Sequence, residues 1–237
     1  MPPRRSKLAR MTTWNKTDII HFLAERHDYQ RYLELCSPTT GGRYAHIDRS
    51  RFKTCHRLMY RTPPNYAHDA LDINFRSADA RTTDLIETIH AFGLRYDIVL
   101  VDSFHYYDLS YRDLTDAFGV LAPGGSIVVH DCLPADDGEL ISPHFGPDPW
   151  CGVSFIAYLD FVMSGRALSY VTVDTDYGCG VIRGSDTAPA LPSDLVSGWN
   201  SVRHDTKAAY RFMIENKGRL LNLLSVEEFK ERGSKQC

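Results

Sequence analysis

The 237-residue chain carries 43% hydrophobic and 24% charged residues with a formal net charge of -3. This composition suits one large globular domain, excludes a disordered chain, and gives no overall attraction to nucleic acid or anionic lipid. No apolar run approaches the roughly 20 residues that cross a bilayer. The six cysteines, Cys36, Cys55, Cys132, Cys151, Cys179 and Cys237, show no CxxC pair or zinc-site spacing and read as reduced thiols. The expected organisation is a basic flexible arm over 1–14, a Rossmann-like domain over 15–184, and a C-terminal loop and helices packed on the same domain over 185–237. The arm lacks the apolar segment of a secretory signal, and the expected location is cytoplasmic.

In chain order, Ile19, Ile20, Phe22 and Leu23 predict a first helix over 17–28, with Asn15 or Thr17 as its cap. A strand follows over 32–36, stopped by the turn formers of 37–42. Weaker patterns predict strands over 55–60 and 71–75, and a helix over 83–92 with Gly93 as its stop. Asp97-Ile-Val-Leu-Val-Asp102 is a nearly continuous apolar run, the pattern of a parallel strand covered on both faces. Helical spacing over 109–121, with Asp108 as its cap, leads through a break at 122–125 into a second buried strand over 126–131. Together these form a βαβ unit, which is right-handed in nearly all proteins.

Beyond it, 133–150 is rich in Pro, Gly and Asp and reads as a loop of active-site-lid length. A helix over 153–163 and strands over 170–173 and 179–182 follow, the strands joined by hairpin chemistry at 174–178. Residues 185–201 read as a surface loop, and helices are expected over 204–215 and 226–231. The predicted fold class is α/β: a Rossmann-like, doubly wound, mostly parallel seven-stranded sheet with an antiparallel last strand.

In such a sheet, ligands lie beyond the carboxyl ends of the strands. There the sequence offers Thr39, Thr40, Gly41 and Gly42 after the first strand, Asp102 and His105 after the central one, and His130 and Asp131 after the next. The glycine-containing loop reads either as a place where a ligand approaches backbone or as a tight turn. Asp102 and Asp131 end neighbouring strands, and two carboxylates at one crevice repel unless a cation or donor lies between them. A divalent metal with oxygen ligands and a cationic substrate atom both satisfy that requirement. His105, close to a carboxylate, can accept a hydroxyl proton; a hydrogen-bonded structural histidine is the competing reading. Strand alternation places His130 on the side opposite Asp131, in a buried and satisfied role.

Several stretches carry a family resemblance. They are 29–35; Tyr96-Asp-Ile-Val-Leu-Val-Asp-Ser-Phe-His-Tyr-Tyr107; Asp113-Leu; Leu121-Ala-Pro-Gly-Gly-Ser-Ile-Val-Val-His-Asp131; and Tyr177-Gly-Cys-Gly-Val-Ile182. Across 19–183 the chain resembles the class I S-adenosylmethionine-dependent methyltransferases, in the group related to macrolide-sugar and rhamnosyl O-methyltransferases. The resemblance implies S-adenosylmethionine as cofactor, with Glu34 and the 37–42 loop at its methionine end, Ser77 and Asp79 near its adenine, and Asp102 near the reacting centre. It further implies magnesium on Asp102 and Asp131, a base at His105, and methylation of a small-molecule hydroxyl, sugar included. The expected partner is that small acceptor, with no nucleic acid or membrane, and a homo-oligomer is allowed. Two other readings stay open: a catalytically silent binding or scaffold protein of the same fold, and an NAD-dependent oxidoreductase, although the chain lacks a GxGxxG pattern.

Overall fold

A computed structural model describes residues 14–36, 47–59, 89, 93–102, 105–140, 150–184 and 191–234. Thr39, Thr40, Gly41, Gly42, Ser77 and Asp79, the strand expected over 71–75, the basic arm but for Trp14, and Cys237 lie outside the described residues, as does all but Ile89 of the helix expected over 83–92.

Helix α1 (Lys16–His27) begins in a capping box: Thr17 N–H donates to Asn15 Oδ1 at 2.8 Å, and Asn15 N–H donates to Asp18 Oδ2 at 2.8 Å. Strands β1 (Arg31–Cys36), β2 (Thr54–Met59), β3 (Tyr96–Asp102) and β4 (Leu121–Val129) pair in parallel, in the spatial order β2-β1-β3-β4. Helix α2 (Tyr107–Val120) is the crossover between β3 and β4. Its cap position is Tyr106, with no side-chain hydrogen bond, and the expected cap Asp108 instead lies in the first turn. The expected break at 122–125 is already part of β4, because this edge of the strand starts at Leu121 opposite Tyr96.

Helix α3 (Ser154–Val162) precedes the hairpin β5 (Leu168–Val173) and β6 (Cys179–Gly184). Strand β6 enters between β4 and β5, antiparallel to both, which gives the expected antiparallel strand. The seventh strand among the described residues is β7 (Leu223–Leu224), a two-residue pairing with β5 for which the sequence held no signal. Two faces cover the sheet. Leu33, Leu35, Val99, Val101, Ile127 and Val129 pack against α2 and α3 on one side; Tyr32, Ile98, Leu100 and Val128 pack against Ile19, Ile20 and Leu23 of α1 on the other. That double covering is the physical origin of the continuous apolar runs in β3 and β4.

The expectation of a surface loop over 185–201 is corrected in its second half. Helix α4 (Ser193–Val202) buries Leu195 and Trp199. Its apolar residues are too few for periodicity to declare it, and its anchor is tertiary. Trp199 Nε1 donates to Asp160 Oδ1 at 2.7 Å, while Tyr107 Oη and Arg203 Nη1 donate to Asp160 Oδ2 at 2.7 and 2.8 Å. Asp160 thereby joins α2, α3 and α4. Asp160→Ala leaves the buried indole N–H without its acceptor and is expected to cost about 3 kcal/mol in urea denaturation; a loss below about 1 kcal/mol would show that the three donors find other partners. Helix α5 (Thr206–Leu220), capped by Asp205, is longer than the 204–215 expected, and α6 (Val226–Ser234) closes the fold. Among the described residues no helix is long and apolar enough to cross a membrane.

Candidate active site

The sheet register brings the polar strand ends together. Cys36 pairs with Asp102, and Val101 with Val129, so β1, β3 and β4 finish side by side. Asp102 follows Ile98 and Leu100 on the face covered by α1, and His130 follows Val128 on that same face. Asp131 would turn away if the strand continued, but its φ of 61° breaks the alternation and swings the carboxylate back. His105, at φ 59°, bends the chain between β3 and α2 so that its ring meets the same carboxylates. The expectation that His130 lies opposite Asp131 is therefore corrected: the histidine is buried, but it faces the site.

The result is a closed set of charges. His105 Nε2 lies 2.9 Å from Asp131 Oδ2 and 3.9 Å from Asp102 Oδ1. His130 Nδ1 lies 2.9 Å from the same Asp131 oxygen and 3.4 Å from Asp102 Oδ1, and its Nε2 lies 3.4 Å from Asp176 Oδ2. Two members escaped the sequence reading. Lys16 Nζ donates to Asp102 Oδ2 at 2.8 Å, and the Lys16 backbone N–H donates to Asp176 Oδ2 at 3.1 Å. Asp176 stood in plain view within 174–178 but read only as turn chemistry; Lys16 carried no local signal, because its partner lies 86 residues away.

Electrostatics follow from burial. Desolvation acts against every charge here, yet mutual attraction outweighs it. His130 and His105 hold the Asp131 carboxyl below the usual range, and Lys16 and His130 hold Asp102 well below it. Desolvation of His105 is outweighed by Asp131 and Asp102, which raise its pKa to about 9. His130 is raised by Asp131 in the same way, and Asp176, paired with His130, falls to about 2. Glu34, fully buried in β1, is different: desolvation dominates and lifts its pKa to about 7. Its Oε2 accepts from Tyr32 Oη at 2.9 Å, and its Oε1 is buried with no hydrogen-bond partner among the described residues.

Two glycines let neighbouring segments press onto the cluster. Gly178 (φ +83°) carries no Cβ, which would meet the Leu133 backbone N at 2.5 Å, so Cys132 and Leu133 bond to the turn that bears Asp176. Gly152 (φ +55°) lies against His105, where a Cβ would sit 2.3 Å from the His105 carbonyl oxygen. Val153 N–H donates to that carbonyl at 3.0 Å, and the Trp150 ring stands 5.0 Å from the imidazole. Gly152→Ala combines left-handed strain with this clash, and a loss of about 3 kcal/mol is expected in thermal or urea unfolding. Wild-type stability in the variant would mean that the loop after Trp150 shifts without cost.

Asp102, His105 and Asp131 place one ligand atom each within 4.8 Å of one another, close enough to share a metal ion. The surrounding donors do not fit a hard divalent cation as they stand. Lys16 holds Asp102 Oδ2, both imidazoles crowd Asp131 Oδ2, and ammonium or imidazolium N–H groups offer a metal no lone pair. Cys132, which follows directly, has a buried Sγ donating to Val129 O at 3.5 Å and a thiol pushed up by desolvation; it adds no hard oxygen ligand. The five described cysteines are free and buried.

The doubly wound sheet, with β6 inserted antiparallel beside β4 and acidic tips on the central strands, is a Rossmann-like α/β fold. Residues 30–132 match the family model described as "Methyltransferase domain". No curated protein matches the chain. Among solved structures it is similar to the O-methyltransferase TomG of Streptomyces achromogenes, which functions in tomaymycin synthesis and was solved with SAM, at 19% identity and TM-score 0.50, covering 72% of this chain and 79% of that one. It is also similar to a putative caffeoyl-CoA O-methyltransferase of Staphylococcus aureus, at 13% identity and TM-score 0.48, covering 71% of this chain and 82% of that one. The likeness to TomG gives the fold.

Proposed function

We propose that the protein transfers a methyl group from S-adenosylmethionine to a hydroxyl of a small molecule, with a sugar hydroxyl as the acceptor class suggested by the resemblance of 96–107 and 121–131. The observation that carries this reading is the convergence of Asp102, His105 and Asp131 at the carboxyl ends of β3 and β4, beside β1, in a chain whose residues 30–132 match a methyltransferase domain. TomG, similar in fold, was solved with SAM, which supports the choice of cofactor.

The residues suit that cofactor at Glu34. Glu34 Oε1 is a buried oxygen lacking a partner among the described residues, on the strand next to Asp102, and an ammonium group at the methionine end would satisfy it. Asp102 would lie near the reacting centre, with Thr39, Thr40, Gly41 and Gly42 lining the methionine end and Ser77 and Asp79 the adenine. When bound, the cofactor supplies a sulfonium methyl as electrophile. The chain's own residues hold the acceptor oxygen in line, where positioning can contribute roughly 7 to 11 kcal/mol. His105 in its neutral form takes the hydroxyl proton at Nδ1, a buried ring atom with no hydrogen-bond partner among the described residues. Asp131, 2.9 Å from Nε2, orients the ring and stabilises the imidazolium that results. Exposed Tyr106, whose ring packs edge-on to Trp150 at 5.8 Å, and Trp150, over His105, give the acceptor an aromatic border.

The test is calorimetry with S-adenosylmethionine, S-adenosylhomocysteine and NAD, followed by methyl transfer to a panel of sugar and phenolic hydroxyls. Binding of the first two with transfer to a hydroxyl is expected. Binding without transfer to any acceptor would favour a silent scaffold, and preference for NAD would favour an oxidoreductase.

A further inference from the structure

We infer that Lys16 is a resident cation of this site: its ammonium holds the Asp102 carboxylate while the His130 imidazole lies between Asp102 and Asp131, and with these basic groups in place the centre operates without a metal. The requirement is set by Asp102 and Asp131, two buried carboxylates at one crevice that need a positive partner. The fold meets it internally. Lys16 is 4% exposed, and its Nζ lies 2.8 Å from Asp102 Oδ2, while Asp102 Oδ1 faces the imidazoles shared with Asp131. The lysine is not a stray surface side chain that happens to reach inward. It occupies the first turn of α1, whose start is fixed by the Asn15 capping box, and its own backbone N–H is bound by Asp176. Thr175 Oγ1 donates to Trp14 O at 2.5 Å, so the β5–β6 turn clamps the helix entrance from the other side. Three carboxylates (Asp102, Asp131, Asp176) thus face three basic groups (Lys16, His105, His130), all buried or nearly so, which take up the carboxylate oxygens that a dication would need.

The catalytic consequence rests on the function proposed above, but the cation claim does not, and it is tested without turnover. Mn²⁺ binding is measured by electron paramagnetic resonance and calorimetry on the full chain: wild type, Lys16→Met, Lys16→Arg, and Lys16→Met combined with Asp102→Asn. Methionine keeps most of the buried stem and removes the charge. Wild type and Lys16→Arg are expected to show no binding up to about 1 mM, whereas Lys16→Met binds with a dissociation constant of about 0.1 mM, the range of weak oxygen-ligand sites. The double variant loses that binding.

Two results overturn the inference. One is Mn²⁺ bound by wild type as tightly as by Lys16→Met. The other is a folded Lys16→Met, judged by circular dichroism, that gains no Mn²⁺. Should Lys16→Met not fold, Lys16→Gln takes its place, and the wild-type measurement decides alone: Mn²⁺ held near 0.1 mM or tighter and released by Asp102→Asn refutes it, and no binding sustains it. If no acceptor is ever methylated yet Lys16→Met gains Mn²⁺, the proposed function fails while the cation assignment stands.

Discussion

His105→Ala is expected to lower methyl-transfer turnover about 100- to 10,000-fold, the usual contribution of a positioned base, while leaving S-adenosylmethionine affinity nearly intact. The cofactor contacts proposed above begin at Glu34 on β1, so calorimetry on the variant should resemble wild type. The pH dependence sharpens the prediction. With a pKa of about 9, His105 is mostly imidazolium at neutral pH, and the neutral form that accepts a proton is about 1% of the enzyme at pH 7. Wild-type turnover should therefore climb from pH 7, reach half its maximum near pH 9 and level above it. Stability moves the other way: the raised pKa means that the ion pair with Asp131 contributes fully below about 6.5 and is lost as pH rises through about 9. A variant with wild-type turnover, or a wild-type profile flat from 7 to 9, removes His105 from the proton transfer.

Glu34→Gln carries the second large effect, and it concerns stability before chemistry. Glu34 is fully buried, and desolvation raises its pKa from 4.5 to about 7. The native state holds the carboxyl proton more tightly than the unfolded chain. Its stabilising contribution is thus complete below 4.5 and fades as pH rises through about 7, reaching a loss of about 3 kcal/mol in alkaline solution at about 1.4 kcal/mol per tenfold change in proton affinity. Glutamine cannot ionise, so urea denaturation of Glu34→Gln at pH 5 and pH 9 should lack this slope. An unchanged slope would place its origin elsewhere. In wild type an ammonium from the cofactor would offset the penalty by pairing with the ionised carboxylate, so cofactor affinity should rise between pH 6 and 8. In Glu34→Gln that rise should vanish.

Much of the scaffold was legible because its signals are local. The apolar runs of β3 and β4 report burial on both faces, the spacing of Ile19, Ile20 and Leu23 reports a helix with one covered face, and the polar turn between β5 and β6 reports a hairpin. Helix α4 was not legible, because its place depends on Trp199 reaching Asp160 across the fold rather than on periodicity. The two-residue β7 is too short for any pattern and exists only because β5 offers it an edge.

At the site, strand ends were enough to nominate Asp102, His105 and Asp131, since α/β topology places such positions at the crevice whatever their detailed geometry. Which way His130 faces was beyond alternation, because positive φ at Asp131 interrupts the pleat at the decisive residue. The chain alone determined that two carboxylates would meet and would need positive charge. Only the tertiary structure decided that a lysine from the first helix and two imidazoles provide it, because charges 86 residues apart leave no periodic trace and become neighbours only when α1 packs across the sheet.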